Sequence, residues 1–304
     1  MSLYALIAGK GPSGFGYGST AEEVTSGVDL AGKTVLITGV NSGIGEESAR
    51  VLALRGARIV ACARTEEKAE AACASLASEI VPVACELSEP ASVRRAVEQV
   101  KERAGELDVL LCNAGIMALP ERTVQHGQEL QFLTNHIGHF MLVTGLLERL
   151  SASRRVVMVS SSAHQWAPKG GIQFDDLSMA GNYSPAKAYG QSKLANLLFA
   201  KALSTRLGAG QTANAIHPGV IATNLTRHRS AFVRALMPLG NALFLKSIAQ
   251  GAATQCYVAV HPEAGRHSGE FFADCNVAKP SRYARDGALA ERLWTVSEEI
   301  VAAL

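Results

Sequence analysis

The feature that most constrains the fold is an alternation that begins at Lys33, in which short apolar runs are followed by segments with helical periodicity. The runs are rich in valine, isoleucine and leucine without alternating polar residues, which indicates strands buried on both faces. Strands that alternate with helices form right-handed parallel βαβ units. The sequence therefore predicts one Rossmann-type α/β domain, with a doubly wound parallel sheet of about seven strands and helices on both faces.

The first 32 residues depart from this pattern and are predicted to form an N-terminal extension (residues 1–32) of a single domain (residues 33–304). Gly14, Gly16 and Gly18 alternate in the extension, but no strand precedes them, so a phosphate-binding role is not favoured there. Ser19 and Thr20 each have a glutamate three positions later, as a helix-capping box requires. The pattern leaves open whether the extension packs on the domain or is loosely attached.

Composition narrows the class of protein. The 304 residues carry a formal net charge of +2, which gives no electrostatic case for nucleic acid. None of the six cysteines forms a Cys-x-x-Cys pair, which favours reduced thiols in the cytoplasm over disulfides. No run reaches the roughly 18 apolar residues of a membrane-spanning helix. We therefore expect a cytoplasmic protein without a transmembrane segment.

A glycine-rich turn follows the first predicted strand, where Gly39, Gly43 and Gly45 have the spacing Gly-x-x-x-Gly-x-Gly. Glycine lets the backbone turn sharply and approach a pyrophosphate, and the new helix presents free N–H groups and the positive end of its dipole. An ordinary tight turn between strand and helix is the alternative. The strand and helix that flank the glycines favour a dinucleotide-binding turn.

The end of the second predicted strand indicates which dinucleotide binds. Arg64 stands there with no acidic residue beside it, and a guanidinium pairs with the 2′-phosphate that distinguishes NADP(H) from NAD(H). Arg55 and Arg58 are further candidates for that phosphate, and a surface role for Arg64 is the alternative. The sequence therefore favours NADP(H), with NAD(H) the less favoured cofactor.

Tyr189 and Lys193 form the main candidate for chemistry. They are four positions apart near the start of a predicted helix, which places them on one face about 6 Å apart along the axis. A tyrosine titrates near pH ~10, and a neighbouring ammonium favours the phenolate. We therefore expect a lowered tyrosine pKa that suits general acid–base catalysis, although a helix with a polar edge would show the same spacing.

With these features in place, the chain resembles the short-chain dehydrogenase/reductase family from Lys33 onward. The segments that carry the resemblance are TGVNSGIG (38–45), CNAG (112–115), NHIGHF (135–140), VVMVSSSAH (156–164), YGQSK (189–193) and HPGVIAT (217–223). The C-terminal stretch beginning GEFFADCNVA is similar to the retinol-dehydrogenase-like branch. The lead GPSGFGYGSTAEEVT is similar to plant relatives, including a dehydrogenase associated with the chloroplast protein-import machinery.

The resemblance implies four catalytic residues. Tyr189 would exchange a proton with the carbonyl oxygen, and Lys193 would lower the pKa of Tyr189 and hold the nicotinamide ribose. Ser161 would hydrogen-bond the carbonyl oxygen, although serines on both sides of it leave its register open. Asn135 would hold a water that links Lys193 to solvent.

The resemblance also implies a cofactor site on the loops that follow the strands. Its residues would be Gly39, Asn41, Ser42, Gly43, Ile44, Gly45, Arg64, Glu86, Leu87, Asn113, Ala114, Gly115, Tyr189, Lys193, Pro218, Gly219 and Thr223. Glu86 departs from the family, which usually has aspartate there, and Cys112 stands where the family usually has asparagine. His136 and His139 have no third ligand near them in the pattern, so no metal site is predicted.

The segment 223–249 is rich in apolar residues and would cover a hydrophobic aldehyde or ketone, such as a retinoid, a steroid or a long-chain carbonyl. A helical pair packed on the core is an equal alternative. Its basic residues, including Arg227 and Lys246, leave open a peripheral contact with a membrane. His164 and Trp166, on a loop beyond a strand end, are candidate substrate contacts or ordinary packing residues.

The sequence therefore predicts an NADP(H)-dependent oxidoreductase that interconverts a hydrophobic carbonyl compound and its alcohol. An NADPH-sensing regulatory module that docks on a membrane complex is the alternative, and the intact catalytic set argues against it. The helices that carry Asn135 and Tyr189 are apolar enough to bury a second face on a twin subunit, so a homodimer and a monomer both stay open.

Overall fold

The computed structural model describes residues 8–221 and 245–304. The strands in this part of the chain are β1 Thr34–Thr38, β2 Arg58–Ala63, β3 Ile80–Ala84, β4 Leu107–Cys112, β5 Val124–Gln125, β6 Gln128–Glu129, β7 Leu150–Val159, β8 Thr212–His217, β9 Phe271–Ala273 and β10 Asn276–Val277. Within it, eight strands form one sheet in the order β10-β9-β8-β7-β4-β1-β2-β3, and β5 and β6 form a separate hairpin. The neighbouring strands are parallel except for β10, which runs antiparallel to β9. The predicted doubly wound sheet is confirmed, with β10 as a short unpredicted edge strand.

Helices cover both faces of this sheet. They are α1 Ala21–Val24, α2 Gly43–Leu54, α3 Glu66–Cys73, α4 Pro90–Arg103, α6 Pro185–Ser204, α7 Ile248–Val260 and α8 Gly287–Ala303, and α5 joins an α-helical turn Leu130–Phe132, a π-helical segment Leu133–Ile137 and an α-helical segment Gly138–Leu146. Residues of α4, α5, α6 and α8 share one apolar cluster, and those of α1, α2, α3 and α7 share the other.

The strand β1 shows how the sequence builds both layers. All five of its residues are buried. Leu36 belongs to the cluster on one face, and its neighbours Val35 and Ile37 belong to the cluster on the other face. Since successive side chains of a strand point to opposite faces, a continuous apolar run is what a strand covered on both sides requires.

The C-terminal helix α8 covers the outer surface of α5 and α6. The ring of Trp294 lies 5.1 Å from Phe140 of α5 and 5.7 Å from Phe199 of α6, between ring centroids. His136 Nε2 and Ser297 Oγ are 2.8 Å apart, which ties α8 to the π-helical segment. The C-terminal helix therefore packs against both of the helices that carry Asn135 and Tyr189, and the choice between a homodimer and a monomer stays open.

The described part of the N-terminal extension, residues 8–32, packs on the rest of the chain. The Phe15 ring lies 5.8 Å from that of Tyr257 on α7, and Asn276 Nδ2 donates to Phe15 O at 3.1 Å. Of the two possible capping boxes, the structure forms the one between Thr20 and Glu23 at the start of α1. For residues 8–32 the open question about the extension is thus answered, because they make specific contacts with α7 and with the β9–β10 edge.

Candidate active site

The glycine-rich turn connects β1 to α2 at the point where the strand order reverses, between β1 and β4. Gly39 has φ +73° and Gly43 has φ +64°, both in the region that favours glycine. A Cβ at Gly45 would overlap the carbonyl oxygen of Gly39 and the side chain of Asn113. The turn therefore needs glycine both for its backbone conformation and for close packing.

The first turn of α2 is open to a ligand. Its N-cap residue Ser42 makes no side-chain capping hydrogen bond, and Ser42 and Asn41 are exposed. Ile44 is half-buried, and its backbone oxygen accepts from Gln255 Nε2 at 3.1 Å, which fixes the turn against α7. An open helix N-terminus with its backbone held in place suits an anionic group such as a pyrophosphate.

A buried hydrogen-bond network joins this turn to the CNAG segment and to α5. Thr38 Oγ1 accepts from the backbone N–H groups of Asn113 (2.9 Å) and Ala114 (3.0 Å). Its own proton therefore points to His139 Nε2, 2.9 Å away, so His139 carries its proton on Nδ1 and donates to Asn135 O at 2.9 Å. Burial lowers the pKa of His139 to about 4, which keeps the ring neutral at physiological pH.

Asn135 lies in the middle of the π-helical segment of α5, a type of distortion that is frequent at functional sites. Its side chain accepts from Ile116 N at 2.8 Å and donates to Ile116 O and to Ser192 Oγ, both at 2.9 Å. These bonds hold the buried amide against the segment that follows β4 and against α6. Asn135 thus joins three of the predicted site segments.

Tyr189, Lys193 and Ser161 lie together. Ser161 lies close enough to Tyr189 for its hydroxyl to lower the pKa of the phenol, and Lys193 Nζ is 5.7 Å from the centroid of the Tyr189 ring. A Cβ on Gly115 would lie 3.1 Å from Asn135 Oδ1 and 3.4 Å from Lys193 Nζ. The segments after β4 and β7 and the helices α5 and α6 therefore converge on one small space beside the glycine-rich turn.

The neighbouring serines make different contacts. Ser160 Oγ donates to the backbone oxygen of Lys193 at 2.7 Å and is buried. Ser162 is exposed, and its N–H donates to His217 Nδ1 at 3.3 Å. Of the three serines in the run, Ser161 is thus the one whose hydroxyl contacts the tyrosine.

The pKa values of Tyr189 and Lys193 are both set by burial. Burial raises the pKa of Tyr189 to about 12, with the Ser161 hydrogen bond acting in the opposite direction. Burial also lowers the pKa of Lys193 to about 8. Among the protein's own groups, burial therefore acts against the lowering of the tyrosine pKa that the spacing predicts.

A histidine that sequence analysis considered as a substrate contact has another role. His164 Nε2 accepts from Ser281 N at 3.0 Å, so its proton is on Nδ1, which donates to Ser161 O at 2.6 Å. The ring is buried and joins the backbone of Ser161 to the C-terminal loop. Trp166, by contrast, is 55% exposed on the same loop.

Sequence reasoning missed this use of histidine as a support for the site. His139 contacts the Asn135 backbone, His164 contacts that of Ser161, and His217 contacts that of Ser162. For His139 a signal existed, since it stands four positions after Asn135 on a helix and is therefore on the same face. The partners of the other two histidines are set by tertiary contacts that spacing does not show.

The arginine predicted to select the cofactor lies where expected. Arg64 directly follows β2 and is exposed, and it forms no ion pair or hydrogen bond with the described residues. Arg58 and Arg55, the further candidates, lie at the opposite end of β2, where Arg58 pairs with Glu79 at 2.8 Å and Arg55 donates to Glu22 O. They are therefore engaged far from the carboxyl edge of the sheet, and their candidacy is wrong.

The predicted adenine-side residues follow β3. Glu86 is half-buried, and its carboxylate accepts from Ser88 Oγ at 3.0 Å. Leu87 is 4% exposed, and its backbone oxygen lies so close to Gly138 that a Cβ there would collide with it. Leu87 thus packs α5 against the end of β3.

The Pro218–Gly219 turn follows β8 at the same edge of the sheet. Pro218 is buried, and Gly219 has φ +96°. Thr223 and the predicted cover up to residue 244 lie outside the described residues. Lys246, one of the candidates for a membrane contact, has a side chain only 1% exposed and pairs with Asp274, so that role is wrong for this residue.

The two histidines rejected as metal ligands are engaged elsewhere, since His136 contacts Ser297 and His139 contacts Thr38. In residues 8–221 and 245–304, no group of three side chains is placed to hold a metal ion. The same ranges contain no helix long and apolar enough to cross a membrane.

Comparison with known proteins places the chain in a family. Residues 33–173 match the model of the short chain dehydrogenase family. The chain is 42% identical to short-chain dehydrogenase TIC 32 A, chloroplastic, from Brassica napus, with all of both proteins covered. It is 41% identical to retinol dehydrogenase 12 from Mus musculus, with 91% of this chain and 89% of that protein covered.

A solved structure of an uncharacterised protein from Mycobacterium paratuberculosis has the same fold, with a TM-score of 0.75 and 36% identity over 93% of this chain and 97% of that one. The chain therefore belongs to the short-chain dehydrogenase/reductase family, whose members are oxidoreductases that bind a nicotinamide cofactor. Within that family it is similar to the retinol dehydrogenases, which confirms the predicted branch.

Proposed function

We propose that the protein is an NADP(H)-dependent oxidoreductase that interconverts a hydrophobic aldehyde or ketone and its alcohol. The observation that carries the proposal is the convergence of Tyr189, Ser161, Lys193 and Asn135 on one space beside the glycine-rich turn. A similarity to retinol dehydrogenase 12 supports an apolar substrate. The exposed ring of Trp166, beyond the end of β7, would contribute to such a site.

The residues present fit a nicotinamide dinucleotide. The turn from Gly39 to Gly45 needs glycine for its backbone conformation, and the N-terminus of α2 has no side-chain cap that would compete with a phosphate. Asn113 Oδ1 is a buried acceptor without a hydrogen-bond partner among the described residues. The exposed Arg64 supports NADP(H) over NAD(H), since its guanidinium would pair with the 2′-phosphate.

When bound, the reduced cofactor supplies a hydride to the carbonyl carbon. The carbonyl oxygen then needs a proton, and Tyr189, whose pKa burial raises to about 12, holds one at neutral pH. The Ser161 hydroxyl lies against the same phenol and would hydrogen-bond the carbonyl oxygen as negative charge develops there. Lys193, with its pKa lowered to about 8, would hold the ribose hydroxyls and return a proton to Tyr189.

The high pKa of Tyr189 has a consequence for direction. A phenol that stays protonated is ready to act as an acid, so the protein's own groups favour reduction of the carbonyl. Oxidation of the alcohol requires the phenolate, which the positive ring of the oxidised cofactor would stabilise. We therefore expect reduction with NADPH to be the faster reaction near neutral pH.

The test follows NADPH consumption by its absorbance with a panel of apolar aldehydes and ketones, for the wild type and for Tyr189→Phe. We expect Tyr189→Phe to lose about 1,000-fold in kcat while its Kd for NADPH is unchanged, since acid catalysis contributes on this order. Arg64→Ala should raise KM for NADPH and leave that for NADH unchanged. Tight NADPH binding with no turnover of any carbonyl would contradict the proposal and support an NADPH-sensing module that docks on a membrane complex.

A cytoplasmic location and the oligomeric state stay predictions. Fractionation of cells that express the full chain tests the first, and the relative with the word chloroplastic in its name makes the organelle the alternative outcome. Sedimentation of the purified protein tests the second.

A further inference from the structure

A buried lysine, Lys246, packs against the Pro218–Gly219 turn that follows β8. The Lys246 side chain is 1% exposed, and its Nζ is 2.6 Å from Asp274 Oδ1 and 4.7 Å from the centroid of the Tyr17 ring. A buried ammonium is costly unless charged or polar groups surround it. Here a carboxylate and the face of an aromatic ring supply that environment, and the ring belongs to the N-terminal extension.

Lys246 contacts the turn that follows β8 with both its side chain and its backbone. A Cβ placed on Gly219 would lie 2.6 Å from Lys246 Cδ and 2.9 Å from Cε, so the aliphatic chain packs directly on this glycine. The Lys246 N–H donates to Val220 O at 3.0 Å, and Lys246 forms an isolated parallel β-bridge with Ile221. The position of Lys246 therefore sets the position of the Pro218–Gly219 turn.

Hydrogen bonds from the rest of the chain hold the extension on both sides of Tyr17. Gly18 O accepts from Gln250 Nε2 of α7 at 3.1 Å. On the other side, Asn276 Nδ2 donates to Phe15 O at 3.1 Å and to Asp274 O at 2.7 Å. The same asparagine therefore fixes the extension and the backbone of the residue that pairs with Lys246.

We infer that the N-terminal extension is part of the cofactor site, with Tyr17 a positioning residue that acts through Lys246 on the Gly219 turn. The ring of Tyr17 and the carboxylate of Asp274 hold the ammonium between them, and the aliphatic part of Lys246 supports the glycine. Removing the ring loosens this support without touching any catalytic residue. The inference rests on the proposed function, since it takes the Gly219 turn to contact the nicotinamide.

The test compares Tyr17→Leu with Tyr17→Phe in the full chain. The leucine removes the aromatic face, whereas the phenylalanine keeps it and serves as the matched control. We expect Tyr17→Leu to raise the Kd for NADPH about fivefold and its KM by a similar factor, with kcat at saturating NADPH unchanged. Tyr17→Phe should keep the wild-type Kd. The Kd is measured by quenching of intrinsic fluorescence, well below the Tm of each variant.

Two outcomes would overturn the inference: a Tyr17→Leu chain that loses thermal stability but binds NADPH like the wild type, or a Tyr17→Phe chain as impaired as the leucine variant. Lys246→Met gives a second measurement, since it should raise the Kd in the wild-type background but add little to Tyr17→Leu. The Kd comparison needs no turnover, so it separates this inference from the proposed activity. A wild-type chain that does not bind NADPH would overturn both.

Discussion

The regions around Lys193 and Lys246 both bury a lysine side chain, but they surround the ammonium group with different hydrogen-bond partners. Both lysines are buried, with 4% and 2% of their surface exposed, at the carboxyl edge of one sheet. Lys193 donates to the neutral carbonyl of Val159 at 2.9 Å, whereas Lys246 donates to the carboxylate of Asp274 at 2.6 Å. A carbonyl does not neutralise a cation, so burial lowers the pKa of Lys193 to about 8.

The difference separates a lysine suited to proton exchange from one suited to structure. Near neutral pH, Lys193 is close to the point at which it gives up a proton, as a residue that resupplies a catalytic acid should be. Lys246 is instead one half of an ion pair that holds a turn. The presence or absence of a carboxylate partner is therefore the basis on which we propose a proton-transfer role for Lys193 and a structural role for Lys246.

The largest effect should come from removing the lysine without a carboxylate partner. We expect Lys193→Met to lower kcat for carbonyl reduction about 100- to 10,000-fold, because the proton supply to Tyr189 is lost. Lys246→Met is the matched control and should keep kcat within about threefold at saturating NADPH, since Lys246 is placed to act on binding. Equal losses of kcat in the two variants would contradict the distinction.

A smaller effect should separate the two serines that contact this region. Ser161→Ala should lower kcat about 100-fold, because its hydroxyl lies against the Tyr189 phenol and the expected carbonyl oxygen. Ser160→Ala removes only a hydrogen bond to the Lys193 backbone and should cost about 1 kcal/mol of stability with little change in kcat. Steady-state kinetics and urea unfolding measure both variants. The reverse ranking in kcat would place the catalytic hydroxyl on Ser160.

Removing the carboxylate that pairs with Lys246 should lower the stability of the protein. Asp274→Asn leaves the Lys246 ammonium buried without its carboxylate, and we expect a loss of about 2 kcal/mol in the free energy of unfolding. The value is below that of a fully buried pair because Asp274 is 41% exposed. Glu263→Gln, which breaks an exposed pair with Arg266, is the control and should cost less than about 0.5 kcal/mol in urea unfolding. Equal costs would mean that Lys246 is not held by this pair.

The smallest expected effect is a change in pH dependence. Lys193 is charged below its pKa of about 8 and neutral above it, while Tyr189, with a pKa of about 12, stays protonated throughout. The kcat for reduction should therefore be level below pH 8 and fall by up to about tenfold per pH unit above it. Lys193→Arg keeps its charge at all these pH values, so its residual activity should lack this decline. A decline that persists in the arginine variant would belong to another group.

Much of the fold could be predicted because its signals are local. The apolar run of β1 is buried throughout, and the glycines at 39 and 43 adopt the positive φ values that a tight turn requires. The contacts of the N-terminal extension could not be predicted in this way. Gly18 and Gln250, which bond to each other, are 232 positions apart, and no periodicity links residues at that separation.

The candidate site shows a second limit of sequence reasoning. Spacing predicts that Tyr189 and Lys193 share a helix face, but it does not report how deeply each is buried, and burial decides the direction of both pKa shifts. Gly190 gives another example. A Cβ there would lie 2.7 Å from Trp166 C and from Ala167 N, so the residue after the tyrosine must be small for the Ser161 loop to dock. Nothing next to it in the sequence indicates that contact.

The C-terminal helix α8 has a consequence for shortened forms of the protein. Trp294 stacks on Phe199 and meets Phe140 edge-on, so α8 contacts both of the helices that carry Asn135 and Tyr189. We expect a chain shortened by these 17 residues to expose the apolar side chains that Trp294 covers on α5 and α6, and so to aggregate more readily.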